Sequence, residues 1–280
     1  MPVSLTIDIR ELEKLKNYIL ATGLKRARPT NKYELLRIED GNVKIIVYKT
    51  GKVVYNDTPE STAIIDKILQ TEEAYTYVLG SDETGKGEWY GPLVVCCVAM
   101  APAWIKKYRK LGIRDSKTLP KHKIIELAEM MKKDVIVKRF VVLEPKTYNE
   151  KYKEFRKEEK KLNELLAWAH SRAIKDTLGA ITYDKARLVI DKFDVEKMYR
   201  RLYGVDSTNL DIIQKSKGET EIPVAAASIL AKSRFEDSVD KLNERFNVKL
   251  RASSPSEIDP KILPYVAKIH FKNVQKYLKL

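Results

Sequence analysis

A chain of 280 residues that is 44% hydrophobic and 33% charged is long enough for a large core and two domains. Its longest uncharged apolar stretch, Pro92 to Ile105, is shorter than the roughly 20 residues a membrane-spanning helix needs, and Ile7-Asp8-Ile9-Arg10 interrupts any apolar signal segment. The formal net charge of +14 favours a polyanionic partner, nucleic acid being the commonest, although lysine–glutamate surface pairs such as those in 151–164 also produce a basic balance.

Residues 3–9 alternate as a short strand, and Leu12, Leu15, Ile19 and Leu20 fall at helical spacing within 10–22. The stretch KYELLRIEDGNVKIIVYKTGKVVYND (32–57) reads as three antiparallel strands turning at Asp40-Gly41 and Thr50-Gly51. Thr58-Pro59 then opens an amphipathic helix to 69. This order defines a small first domain, 1–70, and leaves 71–280 as the second. From 76 onward, strands are predicted at 76–82, 92–100, 136–143 and 186–191, with helices at 103–110, 120–132, 150–177, 194–202, 223–246 and 259–277. Such a mixture is an α/β layered domain. The only cysteines, Cys96 and Cys97, are neighbours in an apolar strand and cannot easily bond each other, so packed thiols and a cytoplasmic setting are expected.

Chemistry enters at LGSDETGKGEWYGPL (79–93), where a strand-like run ends in two adjacent acids and Gly85-Lys86-Gly87. Neighbours on a regular strand face opposite ways, so Asp82 and Glu83 share a ligand only where the strand ends or bulges. Carboxylates converging on one spot repel unless a cation lies between them, and a lysine framed by glycines suits an exposed turn that meets an anion. Leu188-Val189-Ile190 runs into Asp191 in the same way; a lone acid there would only cap a loop, but a sheet gathers such strand ends at one edge. In VAAASILAKSRFEDSVD (224–240), Ser228, Lys232 and Glu236 share one face of an alanine-lined helix, with Asp237 and Asp240 as rivals for Glu236. Hard oxygen donors suit Mg²⁺, the scattered histidines give no zinc spacing, and no Walker-type phosphate loop is present.

These segments resemble a known family. GSDETGKGEWYGPLVV (80–95) resembles the first active-site motif of the type 2 ribonucleases H, and its Glu-Trp-Tyr-Gly-Pro part that of ribonuclease HIII. RDSKTL (114–119), NELLAWAHSRAI (163–174), VIDKF (189–193), AAASILAKSRFE (225–236) and VAKIHFKN (266–273) resemble later motifs in the same order. Residues 1–70 resemble the TATA-binding-protein-like domain that precedes the catalytic core in ribonucleases HIII. The chain departs from the pattern at KGETEIPV (217–224) and at Lys86, where ribonuclease HII carries arginine.

The resemblance implies a ribonuclease H-like mixed sheet with flanking helices behind a small α+β TATA-binding-protein-like domain. It implies an endonuclease that cuts the RNA strand of RNA–DNA hybrids with two Mg²⁺, Mn²⁺ substituting, and leaves 3′-hydroxyl and 5′-phosphate ends. Asp82, Glu83, Asp191 and Glu236 would be the catalytic metal ligands. Gly85, Lys86, Gly87, Ser116, Lys117, Asn163 and Lys232 would meet substrate, with His170, His270 and Lys272 as further candidates. The partner would be hybrid nucleic acid, met by a monomer without membrane contact or an obligate protein partner. Two rival readings are cleavage at single ribonucleotides embedded in duplex DNA and binding of hybrid or DNA without catalysis.

Overall fold

The structure, a computed structural model, describes residues 2–6, 9–68, 74–111, 113, 120–191, 202, 205, 208–215 and 221–278. It divides into two compact units, residues 1–76 with 102–113, and residues 77–101 with 114–280.

In the first unit, strands β1 (Pro2–Thr6), β2 (Arg26–Ala27), β3 (Glu34–Asp40), β4 (Val43–Tyr48) and β5 (Lys52–Asn56) form an antiparallel sheet ordered β1-β5-β4-β3-β2. The turns on either side of β4 use Gly41 and Gly51 at φ of 55° and 80°, a left-handed conformation glycine adopts without strain. Alternation supplies the core: Leu36, Ile38, Ile45, Val47, Val53 and Tyr55 pack against Leu15 and Ile19 of α1 (Ile9–Thr22) and Ile64 and Ile65 of α2 (Pro59–Ile68). Helix α3 (Pro102–Lys110) returns to this unit, which is therefore discontinuous in sequence. The two-residue β2 carries too little pattern to be read from sequence.

The second unit holds β6 (Tyr77–Thr84), β7 (Leu93–Met100), β8 (Val137–Leu143), β9 (Ala186–Asp191) and β10 (Leu210–Lys215) in the order β10-β9-β6-β7-β8. Strands β10, β9 and β6 run parallel, and β7 pairs antiparallel with both β6 and β8, so the sheet is mixed. One face carries α7 (Ile222–Phe246) with α4 (Lys121–Asp134) beside it. The other packs Leu79, Cys97, Ala99, Leu188 and Ile190 against Ala167, Ala169, Ala173 and Ile174 of α6 (Leu162–Leu178). Cys96 and Cys97 are buried thiols on successive strand positions, hence on opposite faces, and burial pushes Cys97 up to about 12.

Two long predicted helices are broken. The one expected over 150–177 is α5 (Pro145–Lys157) and then α6; Glu159 turns left-handed at φ 59° and the Lys160 amide closes α5 onto the Phe155 carbonyl. The one expected over 259–277 is two single-turn helices, α8 (Leu263–Val266) and α9 (Lys272–Gln275); between them Ala267 bridges Tyr90 and the Lys268 amide donates to the Trp89 carbonyl instead of continuing the helix. Strand β10 was not anticipated, and the helix expected at 194–202 falls outside the described residues except for Leu202. Among the described residues no helix is long and apolar enough to cross a membrane.

Candidate active site

Strand β6 delivers two acids to opposite faces without any bulge. Asp82 and Glu83 pair in regular register with Cys96 and Val95 of β7, and the strand closes at Thr84, so of the two expected routes to a shared ligand it is the strand end and not a bulge that applies. Gly80 and Asp82 point towards α7. A Cβ on Gly80 would lie 2.2 Å from the Pro223 carbonyl carbon, so only glycine lets that helix sit so close. Two residues on, the Ser228 hydroxyl of α7 donates to the Asp82 carboxylate. Burial and the charge of Glu83 nevertheless push Asp82 up to about 6.

Ser81 and Glu83 face α6. His170 stands between them, with Nδ1 2.8 Å from Ser81 Oγ and Nε2 3.1 Å from Glu83 Oε2. The Ser81 hydroxyl donates to the Cys96 carbonyl at 3.1 Å, so the ring is tied to the β6–β7 pair. Lys86 Nζ lies 3.7 Å from the other oxygen of Glu83. The parallel pairing of β6 with β9 ends at Ser81 and Ile190, so Asp82 and Asp191 come next at one level in adjacent strands. The structure describes the backbone of Asp191 and not its side chain.

Beyond β6 the chain turns through Gly85 at φ 92°, where a Cβ would meet the Pro92 carbonyl oxygen at 2.1 Å and the Phe235 ring at 3.1 Å. Lys86 and Gly87 are exposed at its tip, and a Cβ on Gly87 would have nothing within 4 Å. Phe235 therefore packs the turn against α7, and Glu236 follows it. Glu236 is 7% exposed; Arg251 donates to its Oε2 from Nε at 2.9 Å and from Nη2 at 2.5 Å. Lys232 lies 3.6 Å and Lys121 3.8 Å from the same carboxylate, and Arg251 and Lys121 also hold Asp240 at 2.7 and 2.8 Å. Asp237 is exposed, as the 100° step between neighbours on a helix requires.

The expected residues are thus partly gathered. Asp82 and Glu83 adjoin, while Glu236 lies eight residues beyond Ser228, about 12 Å along the helix. Among the described residues no three His, Cys, Asp or Glu side chains are close enough to hold one metal ion. Asn163 is half-buried two turns from His170 on α6, and Lys232 is half-buried between Glu236 and Glu88. Ser116 and Lys117 fall outside the described residues. His270 is packed by Tyr148, Tyr152 and Phe271, and burial beside Lys268 pushes it down to about 4, which fits a core residue; Lys272 is exposed. Arg251 and Lys121 were missed, since their partners are 15 and 115 positions away from them at Glu236 and no local pattern marks such pairs.

The family model described as ribonuclease HII matches residues 79–277. The ribonuclease HIII of Chlamydia pneumoniae is 30% identical over 95% of this chain and 92% of its own length. The chain belongs to the ribonuclease HII family, within its HIII group. The ribonuclease HIII of Aquifex aeolicus is 27% identical over 99% of this chain and 98% of its own. The crystal structure of Bst-RNase HIII in complex with Mn²⁺ superposes with a TM-score of 0.64 at 21% identity, over 99% of this chain and 98% of that one. Membership makes this a ribonuclease H-type endoribonuclease, a hydrolase built on the mixed sheet with flanking helices that the sequence predicts. The structure places Lys86, where the sequence departs from the ribonuclease HII resemblance, at the exposed tip of the turn.

Proposed function

We propose that the protein cuts the RNA strand of RNA–DNA hybrids by Mg²⁺-assisted hydrolysis, leaving 3′-hydroxyl and 5′-phosphate ends. The observation that carries this is the end of β6, where burial and Glu83 hold Asp82 at about 6 with hydroxyl and amide donors as its hydrogen-bond partners. An oxygen-only donor set under mutual repulsion suits a hard divalent cation. Asp82, Glu83 and Asp191 would hold such ions at the sheet edge and Glu236 would join from α7. When bound, two such ions supply an activated water and charge stabilisation for the leaving oxygen.

The remaining residues bind and orient. His170 fixes the rotamer of Glu83 by spanning it and Ser81. Arg251 and Lys232 pair with the Glu236 carboxylate and keep positive charge beside it. The Gly85–Gly87 backbone and Lys86 would approach the ribose 2′-hydroxyl and its phosphate, the only group that separates RNA from DNA at a matched position. The first unit would grip substrate as a TATA-binding-protein-like domain, through exposed Lys25, Arg26, Arg28, Lys44, Lys49 and Lys52. The protein would act as a cytoplasmic monomer. Purified protein with Mg²⁺ or Mn²⁺ is tested on labelled hybrid, duplex RNA, duplex DNA and DNA with one embedded ribonucleotide. Cleavage of the hybrid alone or best is expected; preferred cleavage at the single ribonucleotide, or binding without cleavage, would overturn this reading.

A further inference from the structure

Lys268 is a lysine with 0% exposure, deep in the second unit and outside every role assigned above. Its ammonium has three N–H donors and uses all of them on main-chain carbonyls: Glu88 at 3.0 Å, Tyr90 at 2.9 Å and Gly91 at 2.8 Å. The backbone repeats the attachment. The Lys268 amide donates to Trp89 at 2.7 Å, the Gly91 amide to Val266 at 2.9 Å, and Tyr90 and Ala267 form a β-bridge. The far edge of this segment is tied to α5 by Asn149, whose Nδ2 donates to Pro264 and Ala267 at 3.1 and 2.9 Å and whose Oδ1 accepts from Ile269 at 3.0 Å. The Tyr148 ring lies 5.7 Å from the ammonium.

Stability alone is a poor reason for this lysine. Burial works against its charge, pushing it down to about 7 although Glu88 and Glu144 act the other way. What it holds is the base of the Gly85–Gly91 turn, whose tip at Lys86 and Gly87 is exposed. The same turn carries Tyr90, whose ring lies 6.1 Å from Phe235, the neighbour of Glu236. A glycine-flanked turn left loose would have to be ordered on each binding event.

We propose that Lys268 is a positioning residue that fixes the 85–91 turn in the pose that meets the sugar–phosphate backbone, and so sets the preference for hybrid over DNA. This rests on the hybrid-nuclease reading above. Lys268→Met removes the three donors and keeps an unbranched chain. Leu210→Ala, a buried core change in β10, serves as a control for lost stability. Affinities for hybrid and for duplex DNA are measured in EDTA, with amide hydrogen exchange across 85–91. Lys268→Met should lose about tenfold of its hybrid preference and exchange at least about tenfold faster at 85–91, the scale set by ordering one turn residue. Leu210→Ala should change neither. If Lys268→Met does not fold, Asn149→Ser releases the other edge of the segment and should give a smaller loss of the same kind. Unchanged exchange at 85–91, or a loss of preference equal to that of the control, would overturn the proposal. If the unaltered protein shows no hybrid preference, the hybrid reading fails while the exchange result still decides the clamp.

Discussion

Replacing Asp82 by Asn should make the metal-free protein more stable and the enzyme inactive at once. A carboxyl moved from 3.8 to about 6 by burial and by Glu83 is charged at pH 8 at a cost of about 3 kcal/mol relative to an exposed one. Asparagine keeps an acceptor for the Ser228 hydroxyl and removes the repulsion, so a gain of about 1–3 kcal/mol is expected in EDTA. The sign follows from proton counts. Between about pH 4 and pH 6 the folded protein binds more protons at Asp82 than the unfolded chain does, so this residue lowers stability as pH rises through that window. The gap between variant and parent should be absent below about pH 4, open up to about pH 6 and stay constant above it. Urea unfolding followed by tryptophan fluorescence reports it through Trp89 and Trp168, which lie in the same unit.

Magnesium should reverse the order, because a ligand stabilises only the form that binds it and the variant lacks a ligand. Hybrid cleavage by Asp82→Asn should fall by several orders of magnitude while hybrid binding persists through lysines and arginines. A variant less stable than its parent in EDTA at pH 8 would refute the strained-charge argument. Near-normal cleavage would refute the metal-site assignment.

Glu236→Gln should abolish cleavage whereas Asp237→Asn should keep most of it, since Glu236 is buried at 7% exposure and Asp237 is exposed; steady-state assays on hybrid decide, and the reverse pattern would shift the helix register by one. Gly85→Ala should destabilise the second unit by about 3 kcal/mol or more, because the new Cβ meets a carbonyl in left-handed backbone, while Gly87→Ala should stay within about 0.5 kcal/mol. Neutralising Lys25, Arg26, Arg28, Lys44, Lys49 and Lys52 together should flatten the salt dependence of hybrid binding, each lost phosphate contact reducing the slope by about one. Unchanged slope would remove the first unit from substrate contact. Deleting residues 1–70 is the weaker experiment, because α3 packs with that unit and would be stranded.

What was legible in the sequence follows from the range of each interaction. Strands β6, β7, β8 and β9 and helix α7 show in local period and composition, and so does the strand-end position of Asp82 and Asp191. The break between α5 and α6 does not, since Glu158-Glu159-Lys160-Lys161 is good helix-forming sequence and nothing local marks the left-handed Glu159. Among the described residues strand β10 pairs only with β9, and LDIIQK is too short to distinguish from a helical turn. Lys268 is visible in outline as a lone cation in Val266-Ala267-Lys268-Ile269, yet its acceptors lie some 180 positions earlier and nothing local names them.

The described acids differ in what balances them, and that difference orders the site. Glu236 is matched by Arg251, Lys232 and Lys121; Glu83 has His170 and, further off, Lys86. Asp82 meets the Ser228 hydroxyl and the Glu83 amide, neutral donors, while the distant pull of His170 is the least of the influences on it. An arriving cation therefore gains most at Asp82, because there it replaces repulsion and desolvation with attraction, and least at Glu236, where it competes with a guanidinium already in place. The Glu236 side chain reaches Arg251 and Lys232 together, so α7 presents an acid already paired with cations while the strand acid Asp82 bears the strain.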